Sequence, residues 1–477
     1  MCARVLVGLW QALGVCFGLS LMSTPLQAQS SVEPRSSVAF SREQFFSEAV
    51  DPAVDSTFSQ LRWNYTRTWE NLLASGDFGL ESLGQLALDG SGENHLALPE
   101  LYLLWSSLSL GPMGEWDLSL GRKRHLWSAM DQEWKIGLWQ PLVRWDEIHR
   151  LEQGLTGVFL SSQTPQIETT LFVSPLFLPD QGAQIALEEG RFLSGSRWFT
   201  SPPQSMIPAG EDRTEIFYEL DRPSAWQVIQ QTSLAGQLKI GSAKGPWLAV
   251  TGTDKPLNQL QLPFEAFLDI SLASDSGLGR VRVYPQVARH RLVSLEGGYR
   301  QEEAQVWVSL TRESVRPLNW PEEWESLPLN SGYFASVGYR QDWSALGLRG
   351  LSSGVSYLGH FEDTPLTAGD FSSSGGEASS PLGESQRYPF RQALAWDLAS
   401  TWSWAQDQSL SLGFRHTYSF SERGSLVSLQ SRAQASAQLH WSLALDVLGA
   451  PNRQEAGGLI QRYGHNDRIR AEVIYVF

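Results

Sequence analysis

The final ten residues constrain the fold of this chain more than any other segment. Apolar side chains occupy every second position from Ile469 to Phe477, and Arg468, Arg470 and Glu472 lie between them. Successive side chains of a strand point to opposite faces, so this strand has one apolar face and one face that begins with charges. The pattern predicts a strand whose two faces meet different surroundings.

This strand resembles the C-terminal signal by which bacterial outer-membrane β-barrels are recognised for assembly. As in that signal, the chain stops on an aromatic residue, Phe477, and Tyr475 lies two places before it. The resemblance covers ten residues. It implies an outer-membrane location in a Gram-negative bacterium. The partners it implies are the barrel-assembly machinery, outer-membrane lipid and lipopolysaccharide.

The N-terminus has the features of a secretory signal peptide over residues 1–28. Arg4 supplies a positive start, residues 5–22 are almost wholly apolar, and small and polar residues lead to cleavage after Ala28. A retained membrane anchor is the alternative, because the apolar run is close to spanning length. Lipoprotein processing at Cys16 is disfavoured, since a valine precedes it where a small residue is expected.

Both cysteines, Cys2 and Cys16, lie in this segment, so the mature chain would have no disulfide, thiolate metal site or cysteine nucleophile. Loss of Arg4 changes the balance from 36 basic and 51 acidic residues to 35 and 51, a net charge of −16. This acidity argues against nucleic acid as a partner, because such proteins carry a basic face.

Period-two alternation recurs along the mature chain. Examples are Leu61 to Trp69, Trp116 to Leu120, and Leu439 to Leu445, each with polar residues between the apolar ones. Such segments, separated by turns, are typical of a wall with one face in lipid and one in a lumen. The 20 Trp, 21 Phe and 12 Tyr residues fit the two aromatic girdles of membrane barrels.

We therefore predict an all-β protein with a single transmembrane antiparallel barrel over residues 57–477. About 18 strands are expected, within a range of about 16–20, because single-chain bacterial barrels have even strand numbers. Residues 29–56 are predicted to be a periplasmic segment, with a short helix over 41–49 capped by Ser41.

Three long segments, 125–152, 175–212 and 363–386, interrupt the alternation and are predicted to be loops. We expect 175–212, which contains an apolar run, to fold into the lumen as a constriction. Residues 280–300 alternate throughout and are interpreted as a hairpin with its tip at 289–291. A single strand in a tall barrel wall is the alternative, although a strand of this length would exceed what a bilayer requires.

The densest local pattern begins at Arg122, Lys123 and Arg124 and continues through Asp131 and Trp134. It resembles a strand, long loop and strand passage of proteobacterial porin-like barrels. The three basic residues are interpreted first as anchors at the membrane interface, where they would contact lipid phosphates. A substrate-selecting cluster is the alternative.

Parity places a mixed set of charged residues on the face that would line the lumen. These candidates are Arg62, Glu81, Arg280, Arg282, Glu296, Arg300, Arg340, Asp397, His440, Arg470 and Glu472. Charge rings of this kind can bias the selectivity of a pore. The same residues can equally form ion-pair networks that fill and stiffen a barrel.

The sequence contains none of the catalytic motifs that can be recognised from one sequence alone. Its eight histidines are scattered, and there is no Gly-x-Ser-x-Gly elbow or phosphate-binding loop. We therefore expect no enzyme activity, no catalytic residues, no cofactor and no metal site.

The leading hypothesis is a porin-like channel that lets small polar or anionic solutes diffuse passively across the outer membrane. The alternative is a barrel that serves as an anchor or conduit in an envelope-spanning secretion, export or motility complex. We expect either a homo-oligomer or a periplasmic partner. A stoichiometric periplasmic partner would favour the second hypothesis, whereas a homotrimer without partners would count against it.

Overall fold

The computed structural model describes most of the chain from residue 36 to residue 477. The described ranges are 36–47, 54–73, 76–88, 93–109, 115–206, 214–242, 244–269, 278–316, 321, 324, 329–344, 347–363, 387–405, 407–450 and 458–477. The predicted signal peptide and the predicted loop 363–386, apart from its first residue, lie outside these ranges.

Eighteen strands form one closed antiparallel barrel. Labelled β1 to β18 in chain order, they are Ser37–Phe45, Thr57–Leu73, Gly76–Ala87, His95–Ser109, Glu115–Lys123, Leu155–Gln163, Ile167–Ser174, Ser233–Gly241, Gly245–Pro256, Arg289–Arg300, Ala304–Arg316, Gly332–Asp342, Leu351–Glu362, Gln392–Ala405, Gln408–Ser419, Gly424–Gln434, Leu439–Gly449 and Arg468–Val476. The predicted fold class and strand number are confirmed.

The barrel closes where its first strand pairs with its last. In the register of β1 and β18, Ser37 is opposite Val476 and Phe45 is opposite Arg468. On its other side β1 pairs with β2. Each wall strand therefore has a partner on both sides, and the sheet has no open edge.

The position of β1 corrects the prediction for residues 29–56. The expected helix over 41–49 is wrong, because Ser37–Phe45 is a wall strand. The barrel accordingly begins about twenty residues before the predicted boundary at 57. Val38 and Phe40 point outward, whereas Ala39 and Ser41 are buried on the lumen side. Alternation was therefore present here, but Ser41 resembled a helix cap.

The wall keeps the two faces that the alternation predicts. On β10, Val293 and Leu295 are 58% and 52% exposed on the outer face, whereas Leu292 and Ser294 are fully buried on the inner face. The outer face is apolar along most strands, and the inner face is mainly polar. This arrangement suits a barrel with a hydrophobic exterior and a wet interior.

The two ends of the barrel differ in the length of their connections. The connections at one end, the short-turn end, are 74–75, 110–114, 164–166, 242–244, 301–303, 343–350, 406–407 and 435–438. Those at the other end, the long-loop end, are 46–56, 88–94, 124–154, 175–232, 257–288, 317–331, 363–391, 420–423 and 450–467.

Connections 175–232 and 257–288 build a small sheet outside the barrel wall. Its strands are Ser205–Met206, Thr214–Leu220, Phe264–Asp269 and Leu278–Val283, and a separate hairpin joins Ala186–Glu188 to Arg191–Leu193. The interpretation of 280–300 as one hairpin is wrong. Its first part, up to Val283, belongs to this outer sheet, and the predicted tip at 289–291 is instead the start of β10.

The remaining elements are short. In the described part of the chain there are three helices, α1 to α3, which span Ala129–Trp134, Ala225–Ile229 and Leu459–Arg462. A small strand pair joins Leu142–Val143 to Leu151–Glu152. Within the described ranges, no helix combines the length and the apolar character needed to cross a membrane.

Candidate functional site: a collar inside the barrel

The connection between β5 and β6, residues 124–154, folds into the barrel, and we call it the collar. Its side chains Trp127, Met130, Leu138 and Trp139 are almost completely buried. They belong to one apolar cluster with lumen-side residues of the wall, which include Phe159, Phe172, Leu292, Trp307, Phe334, Leu358 and Ala393. Burial of this much aromatic and aliphatic surface holds the collar against the wall.

The collar first contacts the wall at β6 to β9. The Trp127 ring lies 6.5 Å from the Phe159 ring and 6.4 Å from the Phe172 ring. Gln237 donates a hydrogen bond of 3.0 Å to the Trp127 carbonyl, and the Thr251 hydroxyl donates one of 3.1 Å to the same oxygen. Apolar packing and wall hydrogen bonds thus position the segment that precedes α1.

Glu296 on β10 holds the start of α1. The Ser128 side chain caps the helix and donates to the Glu296 carboxylate at 2.5 Å, and the Ala129 backbone N–H donates to its second oxygen at 2.9 Å. Ser309 on β11 donates to the same carboxylate at 2.7 Å. A carboxylate at a helix N-terminus satisfies free N–H groups and matches the positive end of the helix dipole.

Asp131 fixes the turn that ends α1. Its buried carboxylate accepts hydrogen bonds from the backbone N–H groups of Gly137 at 3.0 Å, Leu138 at 3.2 Å and Trp139 at 2.9 Å. Lys135 ends the helix in the left-handed region with φ of 45°. Burial raises the pKa of Asp131 above its usual value, although these hydrogen bonds favour the charged form.

Glu133 ties the collar to the next part of the wall. Its carboxylate lies 3.3 Å from Arg340 on β12 and 3.0 Å from Arg415 on β15. Ser356 on β13 donates to it at 3.2 Å. The Arg415 guanidinium also lies 5.8 Å from the centre of the Trp134 ring. Two arginines therefore face one collar carboxylate, and the Arg340 side chain is 45% exposed.

The second half of the collar is held by Arg468 on β18. This buried guanidinium lies 2.6 Å from Asp146 of the collar and 3.0 Å from Asp446 on β17. His149 of the collar lies 3.0 Å from the same Asp446 carboxylate. Nearby guanidinium groups hold the pKa of Asp146 well below its usual range. We call Asp146, His149, Asp446 and Arg468 the clasp.

The clasp continues along the inner face of β1, β2 and β18. Arg470 lies 3.4 Å from Glu43 and 3.4 Å from Glu472, and Arg62 lies 2.7 Å from Glu472. These alternating charges satisfy one another along the first and last strands. Because each buried ion has an opposite partner, the network avoids the large penalty of an unpaired buried charge.

The collar therefore contacts the inner wall from β6 round to β18 before the chain returns to β6. Lys135 is exposed within the lumen, and Glu152 and Arg124 lie close enough to influence its charge. Lys135 reaches solvent only inside the barrel, and the surrounding protein desolvates its ammonium group, which lowers its pKa. Desolvation and the nearby Asp131 raise the pKa of Glu152 to about 7. The narrowed lumen thus contains one carboxylate, that of Glu152, whose pKa lies near neutrality.

Residues 175–212, the predicted constriction, contribute less to the narrowing of the lumen than the collar does. One part, around Asp180, packs on the collar, where the Asp180 carboxylate accepts a hydrogen bond of 2.8 Å from the Leu142 N–H and lies 3.5 Å from Arg144. A second part, around Arg197 and Trp198, enters the same buried region, where the Trp198 ring packs 5.1 Å from that of Tyr463. Arg197 donates to the carbonyls of Ser47 and His465, at 3.0 Å and 3.1 Å. It links three long connections at the mouth of the barrel. The sequence did not predict the collar as a constriction, and the described part of 175–212 joins it at these two places.

Most of the predicted lumen residues do lie on the inner face of the wall. These are Arg62, Glu81, Glu296, Arg300, Arg340, Asp397, His440, Arg470 and Glu472. Arg280 and Arg282 do not, because they belong to the outer sheet, where Arg282 pairs with exposed Glu219 at 3.0 Å.

The two aromatic residues of the predicted assembly signal, Tyr475 and Phe477, point outward, with their rings 6.5 Å apart.

The three basic residues at the end of β5 separate into two groups. Arg124 turns into the lumen and pairs with Glu81 and Glu100. Lys123 donates to Ser119 at 3.1 Å on the inner face. Arg122 donates instead to the carbonyl of Leu98 at 2.8 Å. The interpretation of all three as lipid anchors is therefore wrong for Arg124 and Lys123.

Sequence reasoning missed several residues that hold the collar. Arg468 shares the parity of Arg470 and could have been found by the same alternation. Glu133 and Asp146 lie in a connection without periodicity, so nothing in the sequence indicated which wall residues they contact. For the same reason, nothing indicated that Asp131 holds the backbone of 137–139.

Comparisons with known proteins give similarity in structure alone. No family model and no curated relative matches this chain. Among solved structures, the outer membrane protein OprD from Pseudomonas aeruginosa matches with a TM-score of 0.38 and 9% identity, covering 96% of each chain. OccAB4 from Acinetobacter baumannii matches with a TM-score of 0.39 and 10% identity, covering 93% of this chain and 98% of its own. A variant of Rh. blastica porin matches with a TM-score of 0.36 and 9% identity, covering 93% and 99%.

Proposed function

We propose that this protein is a porin-like channel in the outer membrane of a Gram-negative bacterium. The chain is exported with a signal peptide that is then cleaved. The observation that carries the proposal is the collar, which narrows the lumen of a closed barrel and stays packed against the inner face of the wall. An apolar exterior suits lipid, and a polar interior suits water and dissolved solutes. The mechanism is passive diffusion past the collar.

The lining of the narrowed lumen supports small polar or anionic solutes as the substrate class. Arg340, Arg415 and Lys135 present positive groups to the lumen, and Glu133 and Glu152 present negative ones. Arginine forks bind carboxylate and phosphate groups in a bidentate manner. An apolar solute would find few partners here, whereas a hydrated polar one can exchange water for these side chains.

Planar-bilayer recording of the purified, folded protein tests the proposal. Discrete openings are expected, and their ionic preference should depend on the collar. Lys135→Glu should shift the reversal potential in a salt gradient toward cation preference, and Lys244→Glu in the exposed turn 242–244 serves as the matched control. An absence of discrete openings would rule out an open pore. Stoichiometric periplasmic partners in native membranes would then favour the anchor hypothesis.

A further inference from the structure

Four arginines lie on the outer face of the barrel at the long-loop end. Arg289 and Arg291 begin β10, and Arg312 and Arg316 end β11. Their parity matches that of Val293 and Leu310, which are 58% and 50% exposed on the outer face. These side chains therefore point away from the lumen, and we call the four arginines the rim patch.

Three members of the rim patch share one carboxylate. Asp254 on β9 lies 2.9 Å from Arg289 and 2.9 Å from Arg291, and it also pairs with Arg316. These four side chains together carry an excess of two positive charges. The Arg291 and Arg316 side chains remain 64% and 45% exposed, so their guanidinium groups keep donors free for a further anion.

The fourth arginine forms a flank beside this trio. Arg312 pairs with Asp363, and its guanidinium lies 4.3 Å from the centre of the Tyr333 ring. Directly below, toward the middle of the wall, Val293, Leu295, Val308 and Leu310 are all exposed. A positive, partly neutralised cluster thus borders an apolar surface on the same two strands.

We propose that the rim patch binds the phosphorylated headgroup of an outer-leaflet glycolipid of the lipid A class. This inference rests on the proposed function only for the orientation, in which the long connections face the cell exterior. Acyl chains would lie on the apolar surface below, and phosphate oxygens would accept hydrogen bonds from Arg291 and Arg316. Arginine suits this role because its planar fork matches phosphate geometry.

Titration of the folded full chain in nonionic detergent with bisphosphorylated lipid A tests the site, with bound lipid counted by native mass spectrometry. The variant combines Arg291→Gln with Arg316→Gln. We expect its affinity to fall about tenfold or more, because charge-assisted hydrogen bonds to phosphate are lost. Dephosphorylated lipid A should bind the variant and the unchanged protein equally.

The control removes two exposed arginines at the short-turn end, Arg67→Gln with Arg349→Gln. An equal loss of affinity in this control, or unchanged affinity in the rim variant, would overturn the proposal. So would an equal loss of binding to phosphatidylglycerol, which would indicate general attraction to anionic lipid. Conductance of the rim variant is measured in parallel. A barrel that binds lipid A but does not conduct would defeat the proposed channel and leave this site standing.

Discussion

Asp131 shows how one buried carboxylate shapes the collar. Three backbone N–H groups depend on it, and each would be left without a partner in a buried place if it were removed. Leaving such a group unsatisfied costs about 1–3 kcal/mol. We predict that Asp131→Ala loosens the turn at 137–139, while the wall strands keep their pairing.

Hydrogen exchange checks this prediction. Amides of residues 137–139 should exchange much faster in Asp131→Ala than in the unchanged protein, and channel noise should rise. Gln132→Ala, an exposed neighbour on α1, should leave both readouts unchanged. Equal protection of these amides in the two variants would show that the carboxylate does not hold the turn.

Glu152 and Lys135 give the lumen a dependence on pH. The pKa of Glu152 is raised to about 7, so its carboxylate gains a negative charge as pH rises through neutrality. The pKa of Lys135 is lowered, so it loses positive charge sooner than a free lysine would. Both changes make the narrowed lumen more negative, and we predict that preference for cations increases with pH.

The measurement is the reversal potential in a salt gradient between about pH 5.5 and about pH 8.5, a range that brackets the Glu152 transition. Glu152→Gln should flatten this curve, because the amide does not ionise. A variant that retained the full shift would place the responsible group elsewhere. Gln132→Glu adds a fixed charge on α1 and should displace the curve without changing its slope.

At the level of elements, the clasp joins the collar to the last strands of the wall. Arg468 neutralises Asp146 and Asp446 in a buried place. Removing one partner of a buried ion pair costs about 3–5 kcal/mol, because the remaining charge loses its compensation. We predict that Arg468→Met lowers the free energy of unfolding by an amount in this range.

Guanidinium unfolding of the protein in detergent measures that loss. The control is Arg349→Met, because Arg349 is exposed in the turn 343–350 and should cost little. If Arg468→Met were as stable as the control, the clasp would contribute nothing beyond packing. Partial recovery on adding Asp446→Asn would instead show that the unpaired carboxylate causes the damage.

The wall strands could be predicted from alternation, since each strand meets an apolar medium on one side and water on the other. The contacts of the collar could not. Glu133 contacts Arg340, Ser356 and Arg415, which follow it by more than 200 residues, and no local periodicity records such pairings. The prediction of a wall hairpin over 280–300 failed for a related reason. Leu278–Val283 alternates like a wall strand but packs on a small core of its own.

For the whole molecule, the wall depends on β1. Eight residues of this strand pair with β2, and nine pair with β18. Without it, both neighbours would expose unpaired backbone groups, and each such group costs several kcal/mol in lipid. We predict that residues 36–477 refold into a barrel in detergent, whereas residues 47–477 do not.

Electrophoretic mobility before and after heating distinguishes the two outcomes, because a closed barrel migrates differently from its unfolded chain. The shorter chain should run at one position under both conditions. A heat-sensitive folded band from residues 47–477 would show that seventeen strands can seal the wall. A second variant replaces Val38 and Phe40 with serine in the longer chain. It keeps the strand and removes only its apolar face, so the two effects can be told apart.

The seam between β1 and β18 has a consequence for how the molecule is made. Gln44 pairs with Ile469 across it, so the contact joins parts of the chain that are synthesised at opposite times. Until the last strand arrives, an unsealed intermediate carries two bare edges that invite pairing with other chains. The cell must therefore keep the nascent polypeptide sheltered for its entire passage, and the slowest step in building the protein is expected to be the meeting of its two most distant strands.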